Sequence, residues 1–240
     1  MRTLLSCATV ILAAVCVAQA DVSVVVPATT DIWLAGQPNG ASVAGYFGTD
    51  FAPANSPIAI NVTAGSIIRF SASDGAPVSV DGTCFDTAAD AGVCYADEFG
   101  FSAGDANGIS LAHVPAGALV GVFVAAGGPS GPTPLALDFS TSGIGTAFTS
   151  LSPALDQLFF IGDGWTGTAT GSGSQQLFTA PAGAGTLYLA VSDSVGSSVG
   201  NSGYINADVQ MPEPGAVPLL ASQLGGGLLV LFALRRRLAK

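Results

Sequence analysis

Positive charge is the scarcest commodity in this 240-residue chain: it holds six Lys and Arg, five of them at the two ends (Arg2, Arg235, Arg236, Arg237 and Lys240). Between Asp21 and Gln210, Arg69 is the sole strong base against fourteen aspartates and Glu98, a formal charge of −14. A surface of that sign has no electrostatic footprint for phosphate, which excludes nucleic acid as a partner. Histidine is nearly missing as well. His113 stands alone in "SLAHVP", where apolar neighbours and a proline suit a strand end better than a general base. The usual catalytic signatures are lacking: no G-x-S-x-G elbow, no H-E-x-x-H pair, no P-loop and no G-x-G-x-x-G between a strand and a helix. Asp86, Asp90, Asp97, Glu98 and Asp105 crowd one region. They keep a carboxylate-based glycan-acting enzyme as a third reading, because such pairs are defined by distance in space. No stretch of the body carries a 3.6-residue apolar period, so helices are not expected to build its core.

Cysteine is also sparse, and its placement is informative. The first twenty residues, "MRTLLSCATVILAAVCVAQA", have Arg2 near the start, an apolar stretch from Leu4 to Val17, and Ala18-Gln19-Ala20 at the close. That pattern reads as a signal peptide with a small-x-small cleavage site expected after Ala20, and it is too short for a membrane span. Cys7 and Cys16 belong to it, leaving Cys84 and Cys94 in an exported body. An oxidising compartment makes these a disulfide. Closing so short a loop is worth about 3 kcal/mol in the chain-entropy view. Zinc is a poor alternative with a single histidine available.

What the body has in quantity is short β-branched or aromatic runs, punctuated by Gly, Pro, Asp and Ser. "VSVVV", "IAINV", "SIIRFSA", "ALVGVFV", "QLFFIG", "QLFTA", "TLYLAVS" and "YINADVQ" all read as strands. The last alternates, with Ile205, Ala207 and Val209 on one side and Asn206 and Asp208 on the other. The pattern predicts an all-β domain over 21–210, an antiparallel β-sandwich or jelly roll. Two stretches, 73–117 and the insertion 125–156, are long for loops and are read as functional excursions or as holders of short helices. Trp33 and Trp165 are read as core or turn residues, with a role as stacking platforms as the alternative. The many aspartates beside Gly, Ser and Asn suit turns, and most are read as a solubilised extracellular surface; the same chemistry also suits Ca²⁺, which takes carboxylate, amide and carbonyl oxygens.

One such loop is "SDSVGSSVGNSG", with Asp193 at the end of one strand and Asn201 at the start of the next. Both side chains and an intervening carbonyl can face one point there, an arrangement that Ca²⁺ accepts. An Asx-type hairpin without metal is the other reading. The order "GALVGVF", "FFIGDG", "QLFTAPAGAGTLYLAVSDS" and "VGNSGYINADV", over about 117–209, resembles the calcium-dependent galactose-binding lectins of the PA-I type and related galactose-binding-like jelly rolls. The resemblance implies Asp193, Ser197 (through its main chain) and Asn201 as calcium ligands. It also implies that Asp193, Ser194 and Asn201 contact sugar. Gly200 departs from the family, which commonly has Asn or Asp there.

The end of the chain, 211–240, resembles a PEP-CTERM sorting signal. Pro212-Glu213-Pro214 precedes an apolar run from Val217 to Leu234, then Arg235-Arg236-Arg237. Eighteen residues give about 27 Å as a helix, enough for a single transmembrane helix. The arginines stay cytoplasmic by the positive-inside rule, which leaves the body outside. The resemblance implies processing by an exosortase-type enzyme, transient anchoring in the inner membrane, and the cell surface of a Gram-negative bacterium that makes exopolysaccharide. The expected function is that of a non-catalytic matrix protein with calcium-dependent carbohydrate binding. The alternative is a structural surface protein without a small ligand.

Overall fold

The computed structural model describes residues 21–41, 55–80, 82–92, 94 and 106–211. The expected signal peptide (1–20) and sorting segment (212–240), together with Asp97, Glu98 and Asp105, lie outside the described residues. Among the described residues no helix is long and apolar enough to cross a membrane.

Strands dominate, as the β-branched runs predict. They are β1 (Val22–Pro27), β2 (Ile58–Asn61), β3 (Ile67–Ser79), β4 (Ala112–His113), β5 (Leu119–Ala125), β6 (Leu137–Asp138), β7 (Ser150–Leu151), β8 (Leu158–Phe160), β9 (Leu177–Thr179), β10 (Ala184–Val191) and β11 (Ser202–Gln210). Short 3₁₀ turns at Ile32–Leu34 and Ser198–Gly200 are the helical elements among the described residues. One sheet has the order β1-β11-β3-β9-β7, a second β2-β10-β5-β8, and β4 and β6 form a separate pair.

The pairings are mixed rather than wholly antiparallel, which corrects the expected pattern. β7 runs parallel to β9 and β4 parallel to β6, while the long pairings are antiparallel. Both parallel pairs recruit a two-residue strand from the 125–156 insertion, so the excursion supplies strands and no helix. The insertion also does not part its neighbours: β5 and β8 on either side of it pair directly, Val120 with Phe160 and Val122 with Leu158.

The core follows from the side-chain pattern. In β11, Ile205, Ala207 and Val209 are buried while Asn206 and Asp208 are exposed, the alternation of a strand with one face in the core. β5 has no such alternation. Leu119 through Val124 are all buried, as expected of a strand covered on both faces. Phenylalanines join the two large sheets. Phe178 of β9 packs against Phe70 of β3 at 5.1 Å and against Phe159 of β8 at 5.5 Å, and Phe159 stacks on Phe123 of β5 at 5.1 Å. Cys84 and Cys94 form the expected disulfide, with their Cα atoms 5.7 Å apart.

Candidate functional site

β10 lies in the second sheet and β11 in the first, so the segment from Ser192 to Asn201 crosses from one to the other. The crossing loop is largely buried: Asp193 is 8% exposed, Asn201 6% and Ser198 1%. Buried polar groups of this kind are ordinarily satisfied by hydrogen bonds. Here they are only half satisfied. Asp193 Oδ1 accepts from the Ser194 amide at 2.6 Å, but Asp193 Oδ2 has no partner. Asn201 donates its Nδ2–H to the Ala28 carbonyl at 3.1 Å, but its Oδ1 has no partner.

A third oxygen joins them from the far end of the chain. Asp31 follows β1 and caps the 3₁₀ turn Ile32–Leu34, its Oδ1 accepting from the Trp33 amide at 3.0 Å. Burial of Ile32, Trp33 and Leu34 anchors that turn in the core. The Asp31 backbone is strapped down by its own amide, which donates to the Asn55 carbonyl at 2.9 Å. Asp31 is fully buried, and its Oδ2 has no partner.

Burial pushes the Asp31 carboxyl up to about 6, the nearby Asp193 charge adds to the rise, and the Trp33 and Gly196 amides offset part of it. Asp193 is likewise pushed up to about 6 by burial, eased by the Ser194 amide and by Asn201. These influences put Asp31 near Asp193 and Asp193 near Asn201. Among the described residues no three His, Cys, Asp or Glu side chains converge, so the third side-chain oxygen here comes from an amide. Three buried acceptor oxygens without a hydrogen bond of ordinary geometry suit a hard cation such as Ca²⁺, which prefers oxygen donors and accepts water for the rest.

The residues expected from the loop are therefore placed unequally. Asp193 and Asn201 do meet. Ser194 serves Asp193 through its backbone amide. The Ser197 carbonyl accepts from Gly200 within the second 3₁₀ turn at 3.4 Å, and its amide donates to Ser194 O at 3.0 Å. Gly200 is exposed, and a Cβ there would meet nothing within 4 Å. Asp31 was missed by sequence reading, although an Asp directly before the apolar Ile-Trp-Leu is a capping signal.

A second polar region lies in a cleft of about 330 Å³ near Asp90 and Trp165. Asp90 Oδ1 accepts from the Asp163 amide at 2.7 Å. Burial pushes the Asp90 carboxyl up to about 6, and the Asp163 and Asp74 charges add to the rise. Asp163 is fully buried and ties its own turn together, accepting from the amides of Trp165 at 2.8 Å and Gly171 at 2.6 Å. Trp33, by contrast, belongs to the core, at 2% exposure. His113 pairs with Asp138 at 3.3 Å across the β4–β6 register, both half exposed, which gives it a local role at a strand end. Comparison with protein-family models gives no match, and comparisons with curated proteins and with solved structures give none either.

Proposed function

We propose that this chain is an exported, non-catalytic protein of a cell-surface or exopolysaccharide matrix, folded as a jelly-roll sandwich and stabilised by a calcium ion held by Asp31, Asp193 and Asn201. The observation that carries the calcium assignment is the set of three buried oxygens, Asp31 Oδ2, Asp193 Oδ2 and Asn201 Oδ1, none of which makes a hydrogen bond of ordinary geometry; the Gly196 amide and the Asn201 side chain ease Asp31 and Asp193 without satisfying them. Leaving a buried polar group unpaired costs roughly 1–3 kcal/mol, more for a charge, and an ion offsets that cost for all three at once. The phenylalanine contacts between the two large sheets support the sandwich. The signal-peptide pattern, the Pro-Glu-Pro before an apolar run and the terminal arginines support export and sorting by an exosortase-type enzyme.

The depth of the cradle bears on the ion's role. A calcium that bridges protein to sugar must keep coordination positions open to the sugar hydroxyls. Side chains at 0%, 8% and 6% exposure leave little such opening. The ion therefore acts chiefly on the fold, clamping the β1 end and the crossing loop together. The direct test is a calorimetric titration of the purified protein with Ca²⁺. One saturable site, lost in Asp193→Asn and in Asp31→Asn, supports the assignment; a flat titration of the wild type overturns it.

A further inference from the structure

We propose that the cleft beside Asp90 and Trp165 is a binding site for a neutral saccharide, separate from the calcium cradle and independent of it. The inference rests on the matrix-protein reading only for its biological setting; its chemistry comes from the cleft. About 330 Å³ is at the small end of the range for ligand sites, about 300–1,000 Å³. Among the described residues the lining combines one carboxylate residue, Asp90, with Thr141, Thr146, Thr166 and Thr168 and with Trp165, and the Thr166 hydroxyl oxygen also accepts from the Ser174 amide at 3.0 Å. Among the described residues no Lys, Arg or His lines it, so an anionic ligand finds no counter-charge there. A neutral polyol matches what is present: its hydroxyls donate to the carboxylate and exchange hydrogen bonds with the threonines, and its C–H face covers an aromatic ring. The Trp165 Nε1 is shut off from solvent without an acceptor, so whatever part of the ring is accessible is carbon, suited to stacking.

The walls are built rather than incidental. The first is the turn around Asp90, closed by the Ala91 amide on Ala88 O (2.8 Å) and by the Leu119 amide on Ala89 O (2.9 Å). Ala91 there sits at a φ of 54°, in the left-handed region that non-glycine residues rarely occupy. The Cys84–Cys94 disulfide brackets this wall on both sides. Behind Asp90, Gly162 has a φ of 60°, and a Cβ on it would overlap Asp90 Oδ1, so glycine is what lets the carboxylate close on the Asp163 amide. The second wall is the turn after Trp165, held by the Thr166 amide on Ser174 O (3.0 Å) and by the Gly167 amide on Ser172 O (2.9 Å). The third comes from the 125–156 insertion. Asp138 folds its loop back through the amides of Ser140 (to Oδ1, 2.9 Å) and Ile144 (to the carbonyl, 2.7 Å), and this presents Thr141 and Thr146. Pre-set walls lower the ordering cost of binding.

The test uses the full-length purified protein in EDTA, with neutral probes: the methyl glycosides of galactose, glucose and mannose, then lactose, cellobiose and maltose. Tryptophan emission is followed in the wild type and in Trp33→Phe, which leaves Trp165 as the single reporter. A saturable change that persists in Trp33→Phe and is unaffected by Ca²⁺ is the expected result. Asp90→Asn keeps the acceptor oxygen for the Asp163 amide, so its melting midpoint stays at or above that of the wild type while affinity falls about tenfold. Trp165→Ala, followed by calorimetry, loses binding. The proposal is overturned if no probe binds, if binding survives both Asp90→Asn and Trp165→Ala, or if choline binds the cleft in place of every sugar. Because the measurement is made without calcium, a null here leaves the cradle standing, and a null in the calcium titration leaves the cleft standing.

Discussion

Two carboxylates held near each other inside a protein give up their protons reluctantly. Asp31 and Asp193 are both pushed up from 3.8 to about 6, chiefly by burial. Because the folded value lies above the unfolded one, the contribution to stability is fully present below about pH 4 and is lost as pH rises through about 6. A displacement of that size is worth about 3 kcal/mol per carboxylate. Asp74 and Asp90, also pushed up to about 6, act in the same direction. Asp138 is lowered by its Ser140 hydrogen bonds and then by His113, and it opposes them weakly from an exposed position. With Asp31 and Asp193 contributing at most about 6 kcal/mol between them, the calcium-free protein is predicted to melt lower at pH 7 than at pH 4, by on the order of 10–20 °C, measured by circular dichroism across that range. Asp31→Asn and Asp193→Asn keep the shape and remove a buried charge. Each is expected to raise the calcium-free midpoint at pH 7 by several degrees while abolishing the response to Ca²⁺, a combination that a mere packing defect does not produce. Asp31 was hard to find in the sequence because its partners lie at the other end of the chain. Asp193 and Asn201 were legible because one loop carries both.

At the scale of elements, β5 is the strand least able to change. Gly121 stands opposite Phe159, and a Cβ on it would meet the ring at 2.8 Å and Ile161 Cδ1 at 2.9 Å. Gly121→Val is therefore expected to cost about 1–3 kcal/mol through overpacking, read as a lower urea midpoint. Phe178→Ala removes the ring that meets both Phe70 and Phe159, and is expected to cost about 3–5 kcal/mol. Breaking the disulfide with Cys84→Ser costs about 3 kcal/mol and frees the Asp90 wall, so any cleft affinity is expected to fall with it. The strands that were legible are those with β-branched or aromatic runs, such as β1, β5, β10 and β11. β6 and β7 were not, because two-residue strands inside a Gly/Ser/Thr/Pro-rich stretch have no period to read, and they pair only when a neighbouring strand offers an edge. The cleft was invisible for the same reason. Asp90, Thr141 and Trp165 share no local pattern, and the third dimension alone collects them.

For the molecule as a whole, the excess of acid is the organising fact. A body at −14 with one strong base has little of its own to set against buried carboxylates, and the proposed divalent cation would supply what the sequence omits. The proposed export would deliver such a protein to surroundings where calcium is plentiful and disulfides persist. The two proposed tasks are separable: an ion that holds the β1 end to the crossing loop, and a cleft, walled by the disulfide loop and the insertion, that meets the matrix. The measurement that tests the central claim most directly is the thermal midpoint at pH 7 and at pH 4, each with excess Ca²⁺ and with EDTA. The account predicts a rise with Ca²⁺ at pH 7 of about 5–10 °C, the size expected for an ion at roughly a hundred times its dissociation constant, and little or no rise at pH 4, where the carboxylates are protonated. Equal midpoints with Ca²⁺ and EDTA at pH 7, or a calcium response undiminished at pH 4, would contradict it.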